Sequence, residues 1–355
     1  MKRTILSVAY PLTEVGPNAV GGSEQILTIL DRVVTEAGHR SIVIAAKGSK
    51  VTGTLIPSPK APRTLTPAAR EEGVGAHREL ISKVLGRYDV DLVHMHSLDF
   101  HRYIPRERVP VLATLHLPPE WYPQEIFDLS RRDMRLNCVS WSQHERCPES
   151  DLLVEPIANG VNVDGLASRA RKKDFVMAMG RICPEKGFHF ALDAARETGT
   201  EMVLGGQVFP YPSHLSYFRT EIKPRLDKHR RFIGALNFRR KKQLLSQARC
   251  LIIPSTVAET SSLVAMEALA CGTPVIAFRS GALPEIVEDG KTGFIVSSTR
   301  GIIAALRKID RIDPEACRAA ARSRFSLETM GARYLKIYDH MINRRKMPRL
   351  YVNAA

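Results

Sequence analysis

Cys250-Leu-Ile-Ile-Pro254, a polar loop to Ser262, Leu263-Val-Ala-Met-Glu-Ala-Leu-Ala270, Cys271-Gly272 and Thr273-Pro-Val-Ile-Ala277 together decide the fold. The first run reads as a buried strand that ends near Pro254. The loop carries Glu259, and Thr260, Ser261 and Ser262 are candidate N-caps for a helix running to Ala270. Gly272 stops that helix and Pro274 opens the next strand. Strand, helix and strand in so short a span form a βαβ unit, which implies a parallel sheet.

The same rhythm extends in both directions. Phe175-Val-Met-Ala-Met-Gly180, Glu201-Met-Val-Leu-Gly205 and Arg231-Phe-Ile-Gly234 predict earlier strands of this sheet, with helices between them. Further upstream, Ile5–Ala9, Ser41–Ala45, Asp91–Met95, Val111–Leu115 and Leu136–Ser140 predict a second series. Ser23 to Ala37 carries apolar residues at 26, 27, 29, 30, 33 and 34, a helical stripe stopped by Gly38. Val74 to Gly86 also reads as helix, whereas residues 52–73, rich in Pro, Thr and Gly, predict a long loop. A turn signal at Pro156–Gly160, followed by a polar, basic run to Lys173, predicts the link between domains. The expected architecture is therefore α/β, with two doubly wound Rossmann-like domains, 1–160 and 161–326, whose parallel sheets face a central cleft. In the remaining segment, 327–355, Leu327, Met330, Tyr334, Ile337, Tyr338, Met341 and Ile342 share one helical face, which is expected to pack back on the first domain.

Composition narrows the function. The 355 residues include 52 Lys+Arg and 37 Asp+Glu, a net charge of +15. Forty-four per cent are apolar, enough for a core in each half, so wholesale disorder is excluded. No run approaches the ~20 apolar residues of a membrane span. Residues 1–165 hold 19 basic and 20 acidic side chains, and residues 166–355 hold 33 and 17, so the positive charge lies in the second half. An anionic ligand is expected there. The apolar run after Met1-Lys-Arg3 is too short for a signal peptide, and a cytoplasmic protein is expected, with peripheral contact at an inner membrane face as an alternative. The six cysteines, at 138, 147, 183, 250, 271 and 317, form no Cys-x-x-Cys pair and no cluster with zinc spacing. They read as small core residues, with Cys183, beside Arg181 and Lys186, the candidate reactive thiol.

Three stretches carry chemistry. The helix start after Ser262 presents unpaired N–H groups, a ready phosphate site. Glu259 precedes it and Glu267 shares a face with Leu263 near it. Carboxylates on both sides of an anion-binding helix start suit a ligand with hydroxyls on both sides of a pyrophosphate, which is the form of a nucleoside diphosphate sugar. The second stretch, Met179-Gly-Arg181-Ile-Cys-Pro-Glu185-Lys186-Gly187, follows a strand and offers two cations to a developing negative charge. The third, Asn18-Ala-Val-Gly21-Gly22-Ser23-Glu24, opens the first helix with a glycine pair. It is not the Gly-x-Gly-x-x-Gly of a nicotinamide site. His116 ends a strand, and His94 and His96 alternate at the end of another and are expected to be structural.

The chain resembles a retaining glycosyltransferase of glycosyltransferase family 4, with the GT-B fold. The resemblance covers nearly its whole length. It is most specific at the Glu-x7-Glu element, Glu259 to Glu267, followed by Ala268-Leu-Ala-Cys-Gly-Thr-Pro-Val275. The resemblance implies that Glu259 contacts the donor sugar and Glu267 holds the ribose. It implies that Ser261, Ser262, Leu263 and Val264 bind phosphate, and that Arg181 and Lys186 neutralise the leaving diphosphate. It also implies that Gly21 and Gly22 close over the donor phosphate or line the acceptor site, and that His116 touches the reacting region. The family's Glu-Pro-Phe-Gly-Leu is replaced here by Glu259-Thr-Ser-Ser-Leu263, so Ser262 either crowds the phosphate or donates a hydroxyl to it. Same-face attack without a protein nucleophile, metal or cofactor is implied for this hexosyltransferase-type enzyme. Alternatives are a sugar-nucleotide epimerase or phosphorylase of similar fold, or a non-catalytic nucleotide-sugar- or RNA-binding protein. Arg219 to Arg249, with 11 basic and two acidic residues, would be the contact for a nucleic acid or an anionic membrane surface, neither of which is favoured.

Overall fold

The structure, a computed structural model, describes residues 2–17, 19, 21–61 and 66–346, with the backbone alone for residues 345 and 346. Asn18 and Val20 of the glycine-pair loop, and 347–355 of the final segment, lie outside the described residues. The chain forms two compact units. The first holds residues 1–139, 144–157 and 330–355; the second holds 140–143 and 158–329.

The first unit contains β1 (Thr4–Val8), α1 (Gly22–Glu36), β2 (Arg40–Ala46), β3 (Thr54–Ser58), α2 (Pro67–Arg87), β4 (Leu92–Met95), β5 (Val111–Leu115), β6 (Met134–Cys138) and β7 (Leu153–Val154). Between β6 and β7 comes the short helix α3 (Trp141–His144), most of which belongs to the second unit. The second unit contains α4 (Val163–Leu166), β8 (Val176–Met179), α5 (Phe188–Glu197), β9 (Met202–Gly205), α6 (Pro212–Tyr217), β10 (Arg230–Phe232), α7 (Phe238–Gln247), β11 (Leu251–Ile253) and α8 (Leu263–Ala270). It continues with β12 (Val275–Phe278), α9 (Leu283–Ile286), β13 (Gly293–Val296), α10 (Thr299–Leu306) and α11 (Pro314–Phe325). The last helix, α12 (Leu327–Lys346), gives its residues from Met330 onward to the first unit.

Both sheets are parallel throughout. Their orders are β3-β2-β1-β4-β5-β6-β7 and β10-β9-β8-β11-β12-β13. Each is doubly wound: the strand order reverses beside the first strand of its unit, at β1/β4 in one and β8/β11 in the other. The central strands are buried on both faces, which is why they read as nearly continuous apolar runs.

The expected loop over 52–73 is corrected. It holds β3 and the first turns of α2, with residues 62–65 outside the described set. β3 lies at the sheet edge, where Leu55 and Ile56 are only half-buried and Thr54 and Pro57 are exposed, so its sequence lacks a fully buried run, and an edge strand tolerates Pro57. The exposed first turns of α2 likewise carry no apolar stripe; Thr66 caps them by accepting from the Ala69 N–H at 3.2 Å, with Pro67 at the first helical position. β13, the opposite edge strand of the second sheet, has no counterpart among the expected strands.

Candidate functional site

In an open α/β sheet, ligands bind beyond the carboxyl ends of the strands at the point where strand order reverses. In the second unit the loop after β8 carries Arg181 to Gly187 and the loop after β11 carries Pro254 to Ser262, so both emerge at that point. The two loops are fastened together. Thr256 N–H donates to the Glu185 carbonyl at 2.9 Å, and Ser255 Oγ donates to the same oxygen at 3.1 Å. Gly187 has a φ of 59°, and a Cβ there would lie 2.2 Å from the Pro254 carbonyl oxygen, so only glycine lets the loops approach this closely. Gly281, at φ 52°, makes a similar approach to Glu259, whose carbonyl accepts from Ala282 N–H at 2.8 Å.

Lys186 and Glu259 meet across this reversal point, with Nζ 2.5 Å from Oε1. Both side chains are largely but not wholly covered, at 24% and 11% exposure. Arg181, on the same loop as Lys186, is solvent-exposed. Behind them α8 begins where the sequence predicts. Ser262 is its N-cap, with Oγ accepting from Ala265 N–H at 3.4 Å. The side chain that departs from the family pattern is therefore used as a helix cap. Leu263 and Val264 precede the first intrahelical bond, Met266 N–H to the Ser262 carbonyl, so their N–H groups have no partner within the helix. Ser261 Oγ is shielded and has no hydrogen-bond partner, which leaves it available to an anion.

Glu267 is buried on α8 and pairs with Lys241 of α7. Burial pushes its carboxyl above the usual range, and the Lys241 ammonium pulls the other way. The sequence reading missed Lys241. A signal was present, since Lys241 lies three and four residues before Leu244 and Leu245, on the stripe that α7 buries. Arg225, Arg230 and Arg249 of the same basic stretch are also paired, with Asp193 and Glu221, with Asp227, and with Asp174 and Asp310. Burial pushes the Cys183 thiol up to about 11, against its role as a reactive thiolate.

The first unit places its candidates at its own reversal point. A pocket of about 190 Å³ is lined by residues that include Tyr10 after β1, Glu24 of α1, His96 after β4, and His116 after β5. Gly21 is the N-cap of α1 and Gly22 its first residue. The Glu24 carboxylate folds over Gly21 and accepts from Thr13 Oγ1 at 2.9 Å and Ser23 Oγ at 3.0 Å. Glu24 and Tyr10 were not singled out from sequence, because nothing local marks a pocket wall.

His116 Nε2 lies 3.1 Å from His96 Nδ1, and the backbone N–H of His116 donates to the Tyr122 hydroxyl at 3.0 Å. Burial lowers His116 to about 4. His94 and His96 are held well below the usual histidine range by burial first and by neighbouring imidazoles second. His96 Nε2 is buried without a partner. The state of His94 follows from its neighbours. Thr114 Oγ1 gives its one proton to Asn137 Oδ1 at 2.7 Å, so it accepts from His94 Nε2–H at 2.7 Å. His94 Nδ1 then accepts from the Tyr338 hydroxyl of α12 at 2.7 Å. His94 is therefore a neutral, fully bonded core residue, as expected, whereas His96 belongs to the pocket.

Residues 167–323, nearly all of the second unit, match the family described as glycosyl transferases group 1. The glycogen synthase of Mycobacterium tuberculosis (strain CDC 1551 / Oshkosh) is 31% identical over 177 residues, 46% of this chain and 42% of that protein. The chain thus spans less than half the length of that relative. The phosphatidyl-myo-inositol mannosyltransferase of M. tuberculosis (strain ATCC 25618 / H37Rv) is 26% identical over 307 residues, 75% of this chain and 78% of that protein. The crystal structure of Anabaena HepE in complex with UDP-glucose superposes with a TM-score of 0.70 at 19% identity, covering 95% of this chain and 99% of that one. The fold is the expected GT-B α/β architecture of two parallel sheets.

Proposed function

We propose that this chain is a retaining, family 4 type hexosyltransferase that moves a sugar from a nucleoside diphosphate sugar to a hydroxyl acceptor. The observation that carries the reading is the Lys186–Glu259 pair at the reversal point of the second sheet, beside the unpaired start of α8. Lys186, Arg181 and the Leu263 and Val264 N–H groups would receive the diphosphate. Glu259, already oriented by Lys186, would accept from sugar hydroxyls, and Glu267 from the ribose hydroxyls. The anomeric C–O bond to phosphate breaks, the acceptor oxygen bonds to the same face, and the acceptor proton passes to the leaving phosphate oxygen. This step needs no protein nucleophile and no metal, so the protein contributes positioning and electrostatic stabilisation.

The acceptor is assigned to the pocket of Tyr10, Glu24, His96 and His116, whose neutral imidazoles can both donate to and accept from hydroxyls. A UDP-sugar is the first donor to try, because the structurally similar HepE was solved with UDP-glucose. Six free cysteines suit a reducing cytoplasm, and no helix among the described residues is long and apolar enough to cross a membrane.

Thermal shifts with UDP-, GDP- and ADP-sugars select the donor, since a bound donor raises apparent stability by mass action. NMR of the product then reads the anomeric configuration. One donor class should bind and its configuration should be kept. Binding of none, or an inverted product, would overturn the proposal.

A further inference from the structure

Cys183, Glu185 and His214 each bring one ligand atom, a thiol sulfur, a carboxylate oxygen and a ring nitrogen, and the three atoms lie within 4.8 Å of one another. Cys183 and Glu185 flank Pro184 in the loop after β8, and His214 comes from the first turn of α6. Sequence spacing does not show this cluster, because the tertiary fold alone brings α6 to the loop. Cys183 and His214 are 1% and 8% exposed, and Glu185 faces solvent. Phe209 and Tyr211 meet the His214 ring edge-on, with centroids at 6.3 and 5.1 Å. Its Nδ1 is shielded from solvent and has no hydrogen-bond partner. A buried ring nitrogen without a partner is uncommon in a folded protein and asks what would satisfy it.

We propose that these three side chains form a structural site for a divalent metal of the zinc class. The donor set is that of zinc: one sulfur, one nitrogen and one oxygen, with a thiolate soft enough to exclude magnesium and calcium. Ligands held at zinc distances around a tetrahedral ion stand about 3.5 Å apart, so small rotamer changes bring a cluster of this size onto one ion. Thiolate and carboxylate together balance the 2+ charge. As the metal–sulfur bond forms, the Cys183 proton leaves to solvent. The exposed Glu185 side leaves the fourth position to water. The metal would fasten the loop that carries Arg181 and Lys186 to α6, taking no part in bond making at the sugar.

Cobalt(II) titration of the full, reduced, chelator-treated chain tests this without any measurement of transfer. Wild type should take up one equivalent, with a thiolate-to-cobalt charge-transfer band and the visible bands of a tetrahedral ion, and zinc should displace it. Cys183→Ser should lose the charge-transfer band, and His214→Gln should bind at least about tenfold more weakly. Cys147→Ser should leave the spectrum unchanged. If Cys183→Ser does not fold, Glu185→Gln and His214→Gln carry the test, with circular dichroism checking their fold. A wild-type chain that gives no cobalt chromophore overturns the site. So does a charge-transfer band that survives in Cys183→Ser, or a cobalt affinity unmoved by both Glu185→Gln and His214→Gln.

Discussion

The first sheet ends its central strands on uncharged histidines, the second on paired charges. Both sheets have the same doubly wound order and present candidate residues at the same reversal point. At that point the first unit has His96 and His116, whose imidazoles burial keeps neutral. The second unit has Lys186–Glu259, with Lys241–Glu267 buried behind it. The contrast shows that topology fixes where a ligand sits and leaves its chemistry to a few loop side chains. Neutral donors and acceptors suit hydroxyls; cations beside a helix start suit a diphosphate.

Acid should separate the two units most strongly. His77, His94 and His96 are wholly buried and held below the ordinary histidine value, with His77 lowered to about 4 by burial. Their stabilising contribution is full above about pH 6.5 and is lost as pH falls toward 4, because the unfolded chain takes up protons that the fold excludes. With three such groups the slope reaches about 4 kcal/mol per pH unit. With His101 and His116 the first unit has five lowered histidines, whereas the second has two, His189 and His214, so the second should lose less. Hydrogen exchange at pH 7 and pH 5, corrected for intrinsic rates, should show residues 1–139 losing protection before residues 158–329. Equal loss in both would break the contrast.

Next in size is Lys186→Ala, which removes a charged contact to the leaving group. Turnover should fall about 10²–10³-fold, by analogy with a lost oxyanion donor. A near-normal rate would remove Lys186 from the mechanism. Glu267→Gln sharpens the comparison in another way. Burial raises the Glu267 pKa, so its ionisation works against folding as pH rises above the unfolded carboxylate range near 4.3. The variant removes that cost but leaves the Lys241 ammonium facing a neutral amide, so the two effects oppose and stability should change little, while donor should bind about 10–100-fold more weakly by calorimetry, the range of a lost charged hydrogen bond.

Smaller effects should follow in the first core and at the α8 cap. Tyr338→Phe leaves His94 Nδ1 without its donor and should cost about 1–3 kcal/mol in denaturant melts, with no change in donor affinity. Ser262→Ala removes a helix cap and should cost about 1 kcal/mol. A weakened donor at unchanged stability would show instead that Ser262 contacts the phosphate.

Much of the fold was legible because central parallel strands are buried on both faces. Val111–Leu115 and Leu251–Ile253 have to be apolar at every position or nearly so. Edge strands have no such constraint, so β3, with its Pro57 and half-buried side chains, read as loop and β13 did not register. The site divided along similar lines. Lys186, Glu259 and Ser262 are adjacent to strand ends and helix starts, which local sequence marks well. Lys241 and Glu24 act through packing between distant segments, and the gathering of Cys183, Glu185 and His214 depends on where α6 lands. The spacing of Lys241 to Leu244 and Leu245 marks the face it lies on, but local signals do not name the partner that packs there.

The first unit closes only with α12. Tyr334 and Tyr338 complete hydrogen bonds to Thr114, Asn137 and His94, and all five groups are buried. Between that core and its final helix the ribosome must make nearly the whole second unit, residues 158–329. At about 5–20 residues per second this takes roughly ten to thirty seconds. Through that interval the nascent first sheet holds an open polar seam, while the second unit, contiguous but for four residues, can close as soon as it emerges. The half that is made first is finished last.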